Sequence, residues 1–294
     1  MQNAKKKMSF SIEAPAKINL CLHVVGRRRD NYHLISSLVI FLGIFDTISV
    51  SESKTLKLNI KGPFAKYLGP KKGNSVIKAA LALRKFCKLK TGAEITLTKN
   101  LPISSGIGGG STDCAATIKL LLKLWKIKIG NKELMKLGQS LGADVPVCLI
   151  GRPSFIGGIG EDIKTIESFP NIWILLVNPR KQIFTKKIFS NFKKKYSKKV
   201  PSSSKLFTLK KLISFLKRSD NDLTSLAVHY APEIKKILND LSLTEDCLLS
   251  RMSGSGATCF GIFSGKKNVI KAKKTLLKLN PNYWISYGQI VGNK

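Results

Sequence analysis

The chain has 294 residues, the upper edge of what one hydrophobic core holds, so two cooperating lobes are expected. It is 43% apolar with 14 Phe, which excludes a mainly disordered polymer. Its 51 Lys and Arg against 17 Asp and Glu leave +34, a charge that invites a nucleic-acid reading. The excess is spread along the whole chain and is overwhelmingly Lys, with few of the Arg forks that read bases or grip phosphates in pairs. The densest stretch, 178–218, reads as a solvated lysine face, so no nucleic acid is expected as partner.

Residues 9–25 mix alternation with short apolar runs and read as one or two strands. A polar break at 27–31 precedes β-type composition over 34–50, and 63–73 is a loop punctuated by Pro, Gly and Lys. The spacing predicts a helix over 74–88 with Asn74 as its cap, then a strand over 93–98. A glycine-rich segment leads into an apolar helix at 115–125, and a shorter helix covers 132–141. Gly142-Ala143-Asp144-Val145-Pro146 then reads as a break, with Pro146 pushing Val145 out of the α region. The glycines at 157–160 and the acidic pair at 161–162 form a turn and mark the expected lobe boundary, giving lobes 1–160 and 161–294. The second part predicts strands at 172–177, 247–252, 258–263 and 283–291, with helices at 186–192, 206–216, 223–228, 234–241 and 269–279. A linker is expected at 201–204.

Six Cys occur without CxxC spacing, which suits reduced thiols in a cytoplasm. His23, His33 and His229 lack ligand spacing, so no metal held by the protein itself is expected. The longest apolar run, 38–45, is too short to span a bilayer, and the first residues lack the apolar region of a signal peptide. No membrane partner is expected.

The sharpest local signal is Gly106-Ile107-Gly108-Gly109-Gly110-Ser111-Thr112. Glycines let main chain approach a ligand, successive N–H groups form an anion nest, and the following helix adds its own unpaired N–H groups. Ser111 and Thr112 supply hydroxyls for phosphate or for oxygens bound to Mg²⁺. Walker A fails because no Gly-Lys-Ser/Thr closes the segment, and the dinucleotide fingerprint fails at Ser111. The plain alternative is a flexible turn between strand and helix. Phosphoryl transfer to a hydroxyl also needs a group to take the proton and a cation to steady the charge. Asp144, flanked by apolar neighbours, and Lys17, in the apolar stretch Ala14-Pro15-Ala16-Lys17-Ile18-Asn19-Leu20, would satisfy each other. On the residues alone, a structural ion pair and a catalytic pair remain equally open. Asn19 shares a strand face with Lys17. Tyr32 and His33 follow a polar turn and suit ring stacking or bonding as well as ordinary packing. Thr185 and Phe189, four apart, share a helix side if that helix begins near 185. Ser253-Gly254-Ser255-Gly256 is a second tight turn, either a structural hairpin or a close backbone approach to ligand.

Four separated blocks together resemble the GHMP kinases: Pro15-Ala16-Lys17-Ile18-Asn19-Leu20; Leu101-Pro102 with 106–111; Gly142-Ala143-Asp144-Val145-Pro146; and Met252-Ser253-Gly254-Ser255-Gly256. The first block together with Asp30-Asn31-Tyr32-His33, 185–189 and Asn221-Asp222-Leu223 is similar to the branch whose acceptor carries a diphosphocytidyl group. The resemblance covers about 9–263. It implies a two-lobed α/β fold with the active site in the cleft between lobes. The implied reaction is phosphorylation by ATP of the 2-hydroxyl of 4-diphosphocytidyl-2-C-methyl-D-erythritol in the non-mevalonate route. It implies that Leu101, Pro102 and 106–112 hold ATP with Mg²⁺, that Asp144 is the base, and that Lys17 holds that carboxylate and the acceptor hydroxyl. Tyr32 and Phe189 would stack on the cytosine, His33 would bond to it, and Asn19, Asp144 and Thr185 would hold the rest. The enzyme is expected to act on small molecules as a monomer or weak homodimer. Ile107, Thr112 and Asn31 depart from the family's usual Leu, Ser and Gly. Only Asn31 bears on backbone geometry, and Asn tolerates the left-handed region better than most residues. Another GHMP kinase acceptor, a nucleic-acid-associated protein, and a scaffold with a relic nucleotide site are the rival functions.

Overall fold

The structure, a computed structural model, describes residues 8–69, 73–193, 195–202 and 208–292. Parts of the expected loop at 63–73, of the linker at 201–204 and of the helix at 206–216 lie outside the described residues, as does most of the N-terminal segment read for a signal peptide. Two long strands open the chain, β1 (Ser9–Arg27) and β2 (His33–Ser53), joined by the polar turn foreseen there. Contacts group the residues into two compact units. The first takes 8–15, Phe45–Ile103 and Gly109–Ile150, and the second takes Ala16–Ile44, Ser104–Gly108 and the described residues from Gly151 on. The expected boundary at 160–161 is a single cut, whereas these units interleave, because β1 and β2 each contribute residues to both.

In the first unit, residues 47–53 of β2 pair antiparallel with β4 (Gly92–Thr98), and β4 pairs parallel with β3 (Leu56–Lys61). A parallel pair needs a crossover, and α1 (Ser75–Phe86) supplies it. Asn74 caps α1 as expected, its side chain accepting from the Val76 N–H at 2.9 Å. α2 (Gly109–Leu124), α3 (Asn131–Leu141) and α4 (Val145–Ile150) complete the unit. Ile48, Val50, Leu58, Ile95 and Leu97 from the strands meet Val76, Ala80 and Leu83 of α1 and Leu120, Leu121 and Leu124 of α2 in one core. β3 has mixed composition and was not foreseen. α2 starts six residues earlier than its apolar periodicity, because glycine argues against helix by composition while burial of Thr112, Asp113 and Cys114 holds the first turns in place. The break expected at Val145 is instead the start of α4. A proline in a helix's first turn lacks only an N–H that has no partner within the helix anyway.

In the second unit, β7 (Trp173–Asn178) lies between β10 (Trp284–Val291) and β9 (Cys259–Phe263), and β9 pairs with β8 (Leu249–Met252), all antiparallel. β5 (Ser154–Gly158) and β6 (Asp162–Thr165) form a hairpin whose first strand pairs with residues 35–39 of β2. α5 (Thr185–Ser190), α6 (Leu209–Lys217), α7 (Thr224–Tyr230), α8 (Glu233–Ser242) and α9 (Lys266–Leu279) accompany the strands. Leu175, Val177, Cys259 and Phe263 pack with Ile234, Ile237 and Leu241 of α8 and Val269, Ala272 and Leu276 of α9. That last set recurs at three and four residues, so α9 buries one stripe and turns Lys266, Lys267, Lys271, Lys274 and Lys278 to solvent. α6 repeats the pattern, burying Leu212, Phe215 and Leu216 and exposing Lys210, Lys211 and Lys217. Part of the positive charge is therefore the outer face of amphipathic helices. All six cysteines are free thiols. Among the described residues, no helix is long and apolar enough to cross a membrane.

Candidate active site

The glycine segment has the backbone of an anion nest. Ser104, Gly106 and Gly108 have φ of 48°, 76° and 63°, left-handed values at alternate positions, and the chain then enters α2 at Gly109. Side chains are excluded here by contact as well as by φ: a Cβ on Gly106 would meet the Ser253 carbonyl and the backbone of Gly256, and one on Gly108 would lie 2.9 Å from the Lys17 Cβ. The loop is held by backbone partners. Ile183 N–H donates to the Ser104 carbonyl at 3.0 Å, Thr258 N–H to Ser105 at 3.1 Å, and Lys17 N–H to Ile107 at 2.9 Å. Thr112 hydroxyl donates to the Gly109 carbonyl at 3.0 Å.

Lys17 is buried on β1, with its stem running along Gly108. Asn19, two residues on and also buried, ties the second glycine turn to the first. Its N–H donates to the Ser253 hydroxyl at 3.1 Å, and that hydroxyl donates to the Gly106 carbonyl at 2.8 Å. Its side-chain amide donates to Ser37 at 2.8 Å. The turn at 253–256 thus packs its backbone against the loop, and the buried Asn221 side chain fixes it by donating to the Met252 and Gly254 carbonyls at 2.8 and 2.9 Å. Thr185, the first residue of α5, shares a hydrogen bond with the Ser255 hydroxyl at 2.8 Å, so Thr185 and Phe189 do lie one turn apart. The Phe189 ring lies 5.5 Å from that of His33, and Phe192 stands edge-on to His33 at 5.7 Å. Partial burial, helped by Arg27, pushes the His33 imidazole below its usual pKa, favouring the neutral ring that both donates and accepts. Tyr32 is exposed beside it, and Asn31 adopts φ 71°, the left-handed turn its position requires.

Asp144 belongs to the first unit, half-buried in the turn before α4, where its carbonyl accepts from Cys148 N–H at 3.2 Å. Leu101 and Pro102 are buried, and Leu101 N–H donates to Asp46 Oδ1 at 2.9 Å. That contact leads to a cluster the sequence reasoning missed. Lys99, 2% exposed, donates to Asp113 Oδ2 at 2.8 Å and to Asp46, both of them buried. Burial alone would lower the Lys99 ammonium, but the two carboxylates outweigh it and raise its pKa. Burial pushes the Asp113 carboxyl up to about 7, against the pull of Lys99 and with added push from Asp46. The available signal was Asp46, the one charged residue of the apolar stretch 34–50. Ser253 and Ser255, known beforehand only as parts of a turn, join the loop and Thr185. Among the described residues, no group of three or more His, Cys, Asp or Glu is placed to hold a metal ion.

The family model for the GHMP kinases N terminal domain matches residues 74–152, and that for the GHMP kinases C terminal domain matches 205–282. The chain is 43% identical over 283 residues to a 4-diphosphocytidyl-2-C-methyl-D-erythritol kinase of Paramagnetospirillum magneticum, covering 96% of this chain and 99% of that one. It is 39% identical to the enzyme of that name from Rhodospirillum rubrum, covering 95% and 92%. Among solved structures, a 4-(cytidine 5'-diphospho)-2C-methyl-D-erythritol kinase superposes with a TM-score of 0.79 at 26% identity, over 96% of this chain and all of that one. Homoserine kinase from Cytophaga hutchinsonii shares the fold, with a TM-score of 0.71 at 17% identity over 99% of this chain and 96% of that one. With a two-lobed α/β fold of this type and these relatives, the chain belongs to the GHMP kinases, in the branch of the 4-diphosphocytidyl-2-C-methyl-D-erythritol kinases.

Proposed function

We propose that the amides of 106–112 receive the phosphates of ATP and that Asp144 and Lys17 serve the acceptor hydroxyl. The chain is an ATP-dependent small-molecule kinase that phosphorylates the 2-hydroxyl of 4-diphosphocytidyl-2-C-methyl-D-erythritol, giving the 2-phosphate and ADP in non-mevalonate isoprenoid precursor synthesis. The observation that supports the site assignment is the run of left-handed residues at 104, 106 and 108, which enters α2 with the Lys17 stem against Gly108. Such a nest, continued by the N–H groups of a helix start, suits phosphate oxygens.

In this assignment, Asp144 takes the proton of the 2-hydroxyl as that oxygen attacks the γ-phosphorus and ADP leaves. The Lys17 ammonium steadies the carboxylate and the charge on the transferred group, and the loop amides donate to the remaining phosphate oxygens. Hard cations prefer oxygen ligands, and the Ser111 and Thr112 hydroxyls suit Mg²⁺ carried by the nucleotide, which would neutralise phosphate charge when bound. Asn19 and Thr185 orient the substrate's polar body. Phe189 and Tyr32 stack on cytosine while a neutral His33 bonds to its edge. These soluble substrates suit a cytoplasmic enzyme without a membrane or nucleic-acid partner. The test is ADP release from Mg-ATP with a panel of hydroxylated acceptors. Turnover is expected with the diphosphocytidyl compound, and Asp144→Asn is expected to bind ATP while losing about 10³-fold in kcat. A variant with near-normal kcat would remove Asp144 from the role of base.

A further inference from the structure

We propose that Ser37 is a positioning residue for the substrate to be phosphorylated. Its buried hydroxyl fixes which way the Asn19 amide faces, so that Asn19 presents its carbonyl oxygen to a hydroxyl of the substrate's polyol end. The inference rests on the assignment of Asn19 to the substrate's polar body.

Ser37 is polar where its strand is otherwise apolar. It stands on β2 opposite Ile156 of β5, is fully buried, and is followed by the buried apolar run 38–42. Its neighbour Ser36 takes the opposite face of the strand and accepts from Val200 N–H at 3.0 Å. A buried hydroxyl is tolerated once it has one partner. Ser37 has two, donating to the Cys21 carbonyl at 2.5 Å and accepting from Asn19 Nδ2 at 2.8 Å. The first contact satisfies the hydroxyl. The second acts on Asn19.

Proton counting fixes the amide. A serine hydroxyl carries one proton, and here the Cys21 carbonyl takes it, so only lone pairs face Asn19. Turned the other way, the amide would set its oxygen against the Ser37 oxygen with no proton between them. With Nδ2 on Ser37, Oδ1 turns toward Gly254, where an added Cβ would lie 3.4 Å from it. No described residue donates to this oxygen, and it is not among the side-chain atoms that are both fully buried and unpartnered, so a ligand can reach it. Lys17 and Asn19 alternate on β1 and share its face, with the Lys17 stem along Gly108. Asn19 Oδ1 therefore belongs beside the group assigned to the reacting 2-hydroxyl, where the polyol's 1- and 3-hydroxyls lie. A lone acceptor there selects a donor: a hydroxyl is favoured over hydrogen, fluorine or an ether oxygen.

The measurement is steady-state kinetics of the full chain with Mg-ATP and the diphosphocytidyl substrate. Cytidine 5'-diphosphate serves as an inhibitor that keeps the cytidyl and diphosphate groups and lacks the polyol. Ser37→Ala frees the amide to turn. It is expected to raise the KM of the diphosphocytidyl substrate about fivefold while the KM of ATP and the inhibition constant of cytidine 5'-diphosphate stay within about twofold. Ser37→Thr returns the hydroxyl and should restore that KM even where its added methyl lowers the melting temperature. A merely structural hydroxyl would lower the melting temperature of Ser37→Ala and leave the two KM values in their wild-type ratio, which overturns the proposal, as does an equal weakening of the polyol-free inhibitor. Should Ser37→Ala not fold, the wild type decides with analogues whose 1- or 3-hydroxyl is replaced by fluorine, which accepts but cannot donate. Fluorine at one of the two positions should weaken binding about fivefold, and fluorine tolerated at both overturns the proposal. Asn19→Ala separates the two levels. If it leaves the KM of the diphosphocytidyl substrate unmoved, the assignment of Asn19 falls and the proposal with it; if it raises that KM while Ser37→Ala does not, only the role of Ser37 falls.

Discussion

Lys99 in one compact unit and Arg251 in the other, both buried, are accommodated by opposite means. Lys99 meets two buried carboxylates. Arg251 on β8 instead spends its fork on main-chain carbonyls, donating to Leu20 at 2.9 Å, Leu216 at 2.8 Å and Ser219 at 2.7 Å. Its nearest carboxylate, the exposed Asp220, stands 3.7 Å away. Ammonium is a compact, strongly hydrated charge that needs ionised partners when dry, whereas guanidinium is weakly hydrated and planar, and neutral oxygens in its plane satisfy it. The arginine therefore acts as a pH-independent clamp between β1 and the end of α6. The lysine brings two carboxylates with it, beside Gly109 at the start of α2.

The sharpest way to break this contrast is to remove each cation. Lys99→Met strands two carboxylates in a dry site and is expected to cost about 3–5 kcal/mol at pH 7.5, read from urea unfolding. The loss should shrink as pH falls. A carboxyl raised in the folded state binds its proton more tightly there than in the unfolded chain, where its pKa is about 3.9, so the destabilisation it causes disappears below that value and grows through neutrality. Arg251→Met leaves three buried carbonyls short of a donor and is expected to cost about 2–4 kcal/mol, with no dependence on pH between 5 and 8. Equal pH slopes in the two variants would erase the distinction between them.

What the sequence revealed divides along the same line. Most helices and strands were legible, because amphipathic periodicity and caps are local: Asn74 announces α1, and the stripe Val269, Ala272 and Leu276 announces α9, whereas the short strands β3, β5 and β6 carried no such pattern. The glycine loop was legible because its strain is written in residue types, and Lys17 and Asn19 because a polar residue in an apolar strand has to be explained. The buried cluster around Lys99 was not. Lys99, Asp46 and Asp113 are scattered along the chain; Asp46 stands out in its apolar stretch but names no partner, Lys99 and Asp113 look like ordinary polar residues in theirs, and only β2 and β4 pairing brings two of the three together. α4 was hidden for a different reason, since Pro146 argues against helix everywhere except in the first turn. The link between Ser253 and the Gly106 carbonyl joins residues 147 apart, a distance no local pattern bridges.

The smallest expected effect is the most discriminating for Arg251. If its carbonyl partners satisfy the guanidinium, Asp220 is a bystander, and its side chain, 80% exposed, is screened by water and salt. Asp220→Asn keeps the oxygen that accepts from Asn221 N–H at 2.7 Å and removes only the charge, so stability is expected to change by less than about 0.5 kcal/mol. Raising the salt concentration should affect wild type and variant alike. A loss of about 2 kcal/mol, or a wild type that weakens in salt while the variant does not, would mean that Arg251 relies on an ion pair after all. The two buried cations would then obey one rule, with carboxylates as the partners that matter in both units.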